Sequence, residues 1–177
     1  AYDANLSGHY FQGEGLEIPA LTAEVTAALA QFENYDVVNN SWGSETSFFV
    51  NVIPTGTLDT GMLQAVAYGR DGLGTAIVFG AGNDRETGGN SNYNALTANR
   101  ATITVGAINA PGDIGALVLG QQPFSNPGAS ILVSAPGSNI ESTSRLLMND
   151  NGSVFGSDFS TAQGTSFATP IVSGVIA

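Results

Sequence analysis

The stretch Gly164-Thr165-Ser166-Phe167-Ala168-Thr169-Pro170 decides how this chain is read. Its small residues make a turn that opens the apolar helical run continuing from Pro170 to Ala177. One hydroxyl, that of Ser166, therefore stands near the positive end of a helix, where developing negative charge is favoured. Read alone, Thr165 or Ser166 is also an ordinary helix N-cap. The residues upstream separate that reading from a chemical one.

Working back from this stretch, the chain alternates strands and helices. Ile18, Leu21, Val25, Ala28, Leu29 and Phe32 recur at steps of three and four, which predicts an amphipathic helix over 18–32 with Pro19 in its first turn. Asp36 to Ser41 reads as a short strand. Leu58, Met62, Ala65 and Val66 mark a second helix, ended by Gly69 and Gly72. Thr75–Phe79, Ala101–Ala107 and Ile131–Val133 read as further strands, and strand–helix–strand spacing implies a parallel sheet with crossover connections. Residues 82–99 and 137–164, rich in Gly, Asn, Ser and Thr, read as long surface loops, where function often resides. Tyr2–Leu6 reads as one more strand. On this reading the chain is cut at both ends, inside a strand at residue 1 and inside a helix at Ala177.

With 177 residues, 42% of them apolar and 11% charged, the sequence is enough for one domain with a sizeable core. Four Lys and Arg against fifteen Asp and Glu give a net charge of −11, which argues against nucleic acid or an anionic membrane as partner. Absence of cysteine excludes disulfides, thiolate nucleophiles and cysteine zinc sites, and leaves the redox compartment open. No apolar run approaches the roughly 20 residues that span a bilayer. Residues 1–15 do not read as a signal peptide, so an export signal would have to lie upstream.

Other segments share the pattern of residues 164–170. Gly80-Ala81-Gly82-Asn83 closes the strand from Thr75, and Val37-Val38-Asn39-Asn40-Ser41-Trp42-Gly43 ends another. Ile103-Thr104-Val105-Gly106-Ala107, Phe124-Ser125-Asn126-Pro127-Gly128 and Ala135-Pro136-Gly137 follow. Together these resemble the subtilisin-like serine proteases, the subtilase family, with G-T-S-x-A-x-P as the nucleophile motif. Gly69–Gly74 ahead of the strand at Thr75 looks like the kexin and furin branch. The resemblance implies a three-layer α/β/α fold with a mostly parallel sheet, of which residues 1–177 would be the C-terminal portion of a single catalytic domain, its N-terminal part missing.

By the same resemblance Ser166 is the nucleophile of an endopeptidase, and the Asn83 side chain donates to the oxyanion together with the Ser166 backbone N–H. Ser41, Trp42 and Gly43, with Ala81 and Gly82, would bind the substrate backbone and wall the pocket before the scissile bond. Taken singly, Asn83 also suits a turn and Trp42 a core aromatic. Gly80-x-Gly82 begins like a dinucleotide fingerprint, but Arg85 stands where its third glycine belongs. Where the kexin branch carries acids that select basic residues, this sequence has Thr46 and Asn94; Glu45, Asp84 and Glu86 are the carboxylates nearby, and the preferred side chain stays unassigned.

A serine hydroxyl needs a base and an acid to orient that base. The single histidine, His9, lacks the H-G-T setting of the family's base, and Asp3 lacks the D-x-G of its acid. Base and acid are therefore expected from upstream sequence. An α/β-hydrolase order fails, because no Asp, Glu or His follows Ser166. The alternative is a catalytically incomplete fragment or pseudoprotease that binds peptides or serves as a structural module. The chemistry calls for no cofactor; structural calcium is implied by the family alone, with Asp84, Glu86, Asn90, Asn92, Asn94 and Asp113 as oxygen donors that no spacing gathers into a site. Expected partners are a peptide or protein substrate and the missing N-terminal part of the same domain, and the expected location is secreted or periplasmic.

Overall fold

Four segments lie side by side in chain order, all parallel: Val37–Asn40 (β1), Ala76–Gly80 (β2), Thr102–Ile108 (β3) and Ile131–Pro136 (β4). The structure is a computed structural model and describes residues 3–9, 18–43, 55–112, 123–148 and 154–177. The central strands β2 and β3 are buried on both faces, as their near-continuous apolar sequences require in a parallel sheet.

Alternation along β2 divides the core. Ile77 and Phe79 point to a cluster with Val25, Leu29, Phe32, Leu58, Met62, Ala65 and Leu96. Val78 points the other way, to Val105, Ala107, Ala135 and Ala168. The first cluster is supplied by the helices Ile18–Leu29 (α1) and Thr55–Gly72 (α2), and the second by Thr165–Ile176 (α3), which crosses all four strands. In α3 the buried residues Thr165, Ala168, Thr169 and Ser173 recur at steps of three and four and form one inward stripe. The expected three-layer α/β/α arrangement and mostly parallel sheet are thus present.

The structure differs from the sequence reading in places. α1 stops at Leu29, and Phe32 enters the core from a separate 3₁₀ turn, Phe32–Asn34. α2, by contrast, loses helical geometry at Gly69–Asp71, in agreement with the end placed at Gly69 and Gly72. Asp3 to His9 form no strand and are exposed, since no neighbouring strand among the described residues offers them a hydrogen-bond ladder. Residues 137–164 are not simply loop: Ile140–Thr143 (β5) pairs antiparallel with Phe159–Ala162 (β8), and Leu147–Met148 (β6) with Val154–Phe155 (β7). Backbone pairing needs no apolar alternation, so the exposed polar strands β5 and β8 carried no periodic signal. The 82–99 segment holds two 3₁₀ turns and sends Leu96 into the core.

Candidate active site

Because β1 and β2 are parallel neighbours, the residues after each emerge at the same edge of the sheet, and α3 begins there as well. Ser41, Trp42, Gly43, Ala81, Gly82, Asn83 and Ser166, the residues given catalytic or substrate-binding roles from the sequence, line one cleft of about 170 Å³. Thr165, Asp84, Asn94 and Asn126 also line it.

The junction of α3 with the turn after β2 is built around a missing cap. Gly164, the N-cap of α3, has φ 145°, a conformation that favours glycine, and no side chain to satisfy the first N–H groups of the helix. Asn83 does so from across the cleft: its Oδ1 accepts the Thr165 N–H at 2.8 Å and the Thr165 hydroxyl at 3.1 Å. Thr165 Oγ1 in turn accepts the Gly82 N–H at 3.2 Å. Two donors on one amide oxygen fix which end of the Asn83 amide is which, and leave Nδ2 as its donor end. A methyl placed on Gly164 would stand 3.5 Å from Asn83 Nδ2, 3.7 Å from Asn83 Oδ1 and 3.7 Å from Ser166 N, so the Asn83 amide and the Ser166 N–H border the same small region.

Ser166 is half-buried, and its hydroxyl donates to the Ser41 carbonyl at 3.2 Å, while the Ser41 hydroxyl donates to the Ser166 carbonyl at 2.9 Å. The strand end before Ser41 is braced from below. Buried Asn40 donates to the Val38 and Val78 carbonyls and accepts Trp42 Nε1–H at 3.0 Å, and the Trp42 ring meets Phe79 edge-on with centroids 5.4 Å apart. Trp42 is therefore both packed against the core and a wall of the cleft.

The opposite wall is held by Asn126, which the sequence analysis placed only in the scaffold. Its side chain donates to the Ala81 carbonyl at 3.1 Å and accepts the Asp84 N–H at 2.8 Å, and its own N–H donates to the Gly82 carbonyl at 3.0 Å. Gly82, with φ 96°, runs so close to the Asn126 amide that a side chain there would collide with it. Asn126 sets the path of residues 81–84, and the Phe-Ser-Asn-Pro-Gly segment was the signal for it.

His9 and Asp3 are exposed on an irregular segment, and no contact among the described residues links them to Ser166. Glu45 and Thr46 lie outside the described residues, as does Asp113. In the 82–99 loop the side-chain oxygens of Asn90, Asn92 and Asn94 accept backbone N–H groups of Asn92, Ser130 and Leu96. Among the described residues no three acidic or histidine side chains gather around a common point.

A fold of this class with a serine at the start of α3 agrees with what the chain is similar to. It matches the subtilase family model, Peptidase_S8, over residues 1–177, and belongs to that family. It is 31% identical to a subtilisin of Bacillus pumilus over 146 residues, covering 81% of this chain and 42% of that protein. It is 31% identical to a dibasic-processing endoprotease of Schizosaccharomyces pombe over 170 residues, covering 92% of this chain and 22% of that protein. The chain thus spans less than half the length of these relatives. A solved serine protease of Aeromonas sobria, in complex with its chaperone, superposes with a TM-score of 0.66 at 20% identity, over 89% of this chain and 32% of that one. The fold is subtilisin-like.

Proposed function

We propose that this chain is the C-terminal portion of a subtilisin-like catalytic domain, and that the protein containing it is a serine endopeptidase. Ser166 attacks a peptide carbonyl, and the tetrahedral oxyanion is held by the Asn83 amide and the Ser166 N–H. Water then releases the acyl-enzyme. The observation that carries this reading is the Asn83 amide, anchored by its oxygen on Thr165, with its nitrogen and Ser166 N both bordering the space beside Gly164. A pair of N–H groups preorganised for developing charge contributes roughly 10²–10³ in rate. Ser41 to Gly43 and Ala81 to Gly82 would pair with and flank an extended peptide at the strand ends.

Base and acid come, in this reading, from sequence upstream of Ala1. No catalytic cofactor enters it, and calcium remains an expectation of the resemblance. The exposed protein substrates of such an enzyme fit a secreted or periplasmic location; no described helix is long and apolar enough to cross a membrane.

The test is labelling with a fluorophosphonate. The full-length protein is expected to label at Ser166 and to hydrolyse peptides, the 177-residue chain to label hardly at all, and Ser166→Ala to abolish both. Asn83→Asp keeps the oxygen that caps α3 and removes the donor, so it should lower kcat by about 10²–10³ without unfolding the protein. Equal labelling of fragment and full-length protein contradicts the placement of the base, and an unchanged kcat in Asn83→Asp contradicts the role of Asn83.

A further inference from the structure

Pro170 sits four residues after Ser166, inside α3. In an unbroken helix the N–H of residue i+4 donates to the carbonyl of residue i, but proline has no N–H. The Ser166 carbonyl therefore lacks that helical partner, and the Ser41 hydroxyl, 125 residues away in sequence, donates to it at 2.9 Å. Asn39 Nδ2 donates to Ser41 Oγ at 3.1 Å, and Asn39 Oδ1 accepts the Ser173 hydroxyl at 3.0 Å. The Asn39 N–H occupies a lone pair of Ser41 Oγ, so the hydroxyl proton is left for Ser166. A donor feeding a donor strengthens both bonds.

We propose that Ser41 is a positioning residue for the nucleophile: its hydroxyl, oriented by Asn39, replaces the helical hydrogen bond to the Ser166 carbonyl that Pro170 cannot make. Fixing that carbonyl fixes ψ of Ser166, and with it the direction in which Oγ leaves the helix. The backbone carbonyl of Ser41 meanwhile receives the Ser166 hydroxyl at 3.2 Å, so both the peptide and the side chain of the nucleophile are referred to the end of β1. The inference rests on the proposed role of Ser166 and adds a function for a side chain that the peptide-binding reading leaves unused, since pairing with substrate needs only the backbone of Ser41.

The experiment uses the full-length enzyme and a chromogenic peptide. Ser41→Ala should lower kcat about tenfold, as a lost hydrogen bond of about 1.4 kcal/mol would, with KM changed less than about twofold, and Ser41→Thr should restore most of the loss. In a Pro170→Ala background the backbone N–H restored at that position can take the carbonyl, so the same Ser41→Ala change should cost less than about threefold. A change in KM alone, an unaltered kcat, or equal costs in both backgrounds overturns the proposal. If the parent neither hydrolyses peptides nor labels, the activity reading fails. The hydrogen bond is then read from the ¹³C shift of the Ser166 carbonyl in the same protein: an upfield move on Ser41→Ala sustains the contact, and an unmoved signal refutes it.

Discussion

On one face of the sheet Leu29, Leu58, Met62, Phe79 and Leu96 fill the space beneath α1 and α2. On the other, Val78, Val105, Ala107 and Ala135 meet Ala168 of α3, and a methyl on Gly80 would stand only 3.0 Å from the hydroxyls of Thr165 and Thr169. Each large aliphatic or aromatic side chain on the first face contributes roughly 1.5–3 kcal/mol by leaving water. The alanines of the second contribute much less area each, and two buried residues of α3 are threonines whose hydroxyls need partners. Those partners exist: Thr169 donates to the Thr165 carbonyl at 2.7 Å, and Thr165 to Asn83. Stability and placement thus have different sources. The face under α1 and α2 supplies free energy, while the face under α3 lets a helix approach the sheet closely enough for its first turn to meet the ends of β1 and β2.

If that division is real, mutations on the two faces should separate stability from rate. Leu29→Ala, measured in a Ser166→Ala background of the full-length protein to prevent self-digestion, should destabilise by about 2–5 kcal/mol through lost transfer and a cavity. With Ser166 restored, the folded fraction should keep its kcat within about twofold. Ala168→Val overfills the other face and should cost only about 1–3 kcal/mol in stability. Its kcat should nevertheless fall more than about tenfold, because a shift of about 1 Å in the start of α3 misplaces the nucleophile. Denaturant midpoints set beside initial rates decide the matter, and a similar loss of kcat in both variants refutes the division.

Sequence made the helices and the parallel strands readable because both rest on local signals: apolar residues three and four apart in α1, and short apolar runs in β2 and β3. The site was legible for a different reason, that a turn motif can be matched without knowing the turn's neighbours. Asn83 and Ser166 were singled out as partners although 82 residues separate Asn83 from Thr165. What remained hidden depends on contacts between segments. The Ser41 hydroxyl gives no sign of its target until β1 and α3 meet, although a proline four residues after Ser166 does announce an unpaired carbonyl. The β5–β8 arm is polar and exposed, so pairing of its backbone left no trace in hydrophobic pattern, and Leu96, a lone apolar residue in a polar segment, could not be told from a surface leucine. Tyr2–Leu6 shows the opposite error: it read as a strand, and its described residues, Asp3 to Leu6, have no described neighbour to pair with.

The turn after α2 belongs to neither face and tests the division from outside. Arg70 pairs with Asp36 at 3.2 Å, but the side chains are 41% and 81% exposed, a setting in which such pairs contribute about 0–1 kcal/mol. Arg70 also adopts φ 53° and Asp71 φ 56°, a conformation in which a side chain is strained by about 1–2 kcal/mol. Arg70→Ala removes the pair and keeps the strain, so stability should change by less than about 0.5 kcal/mol, with kcat unaltered. Arg70→Gly removes both, and should stabilise slightly by relieving the turn, less the entropy glycine adds to the unfolded chain. Thermal midpoints of the two variants separate these effects. A loss above about 1 kcal/mol in Arg70→Ala would mean that the link from α2 to the start of β1 is a third source of stability, and that the division between the two faces of the sheet does not account for the fold.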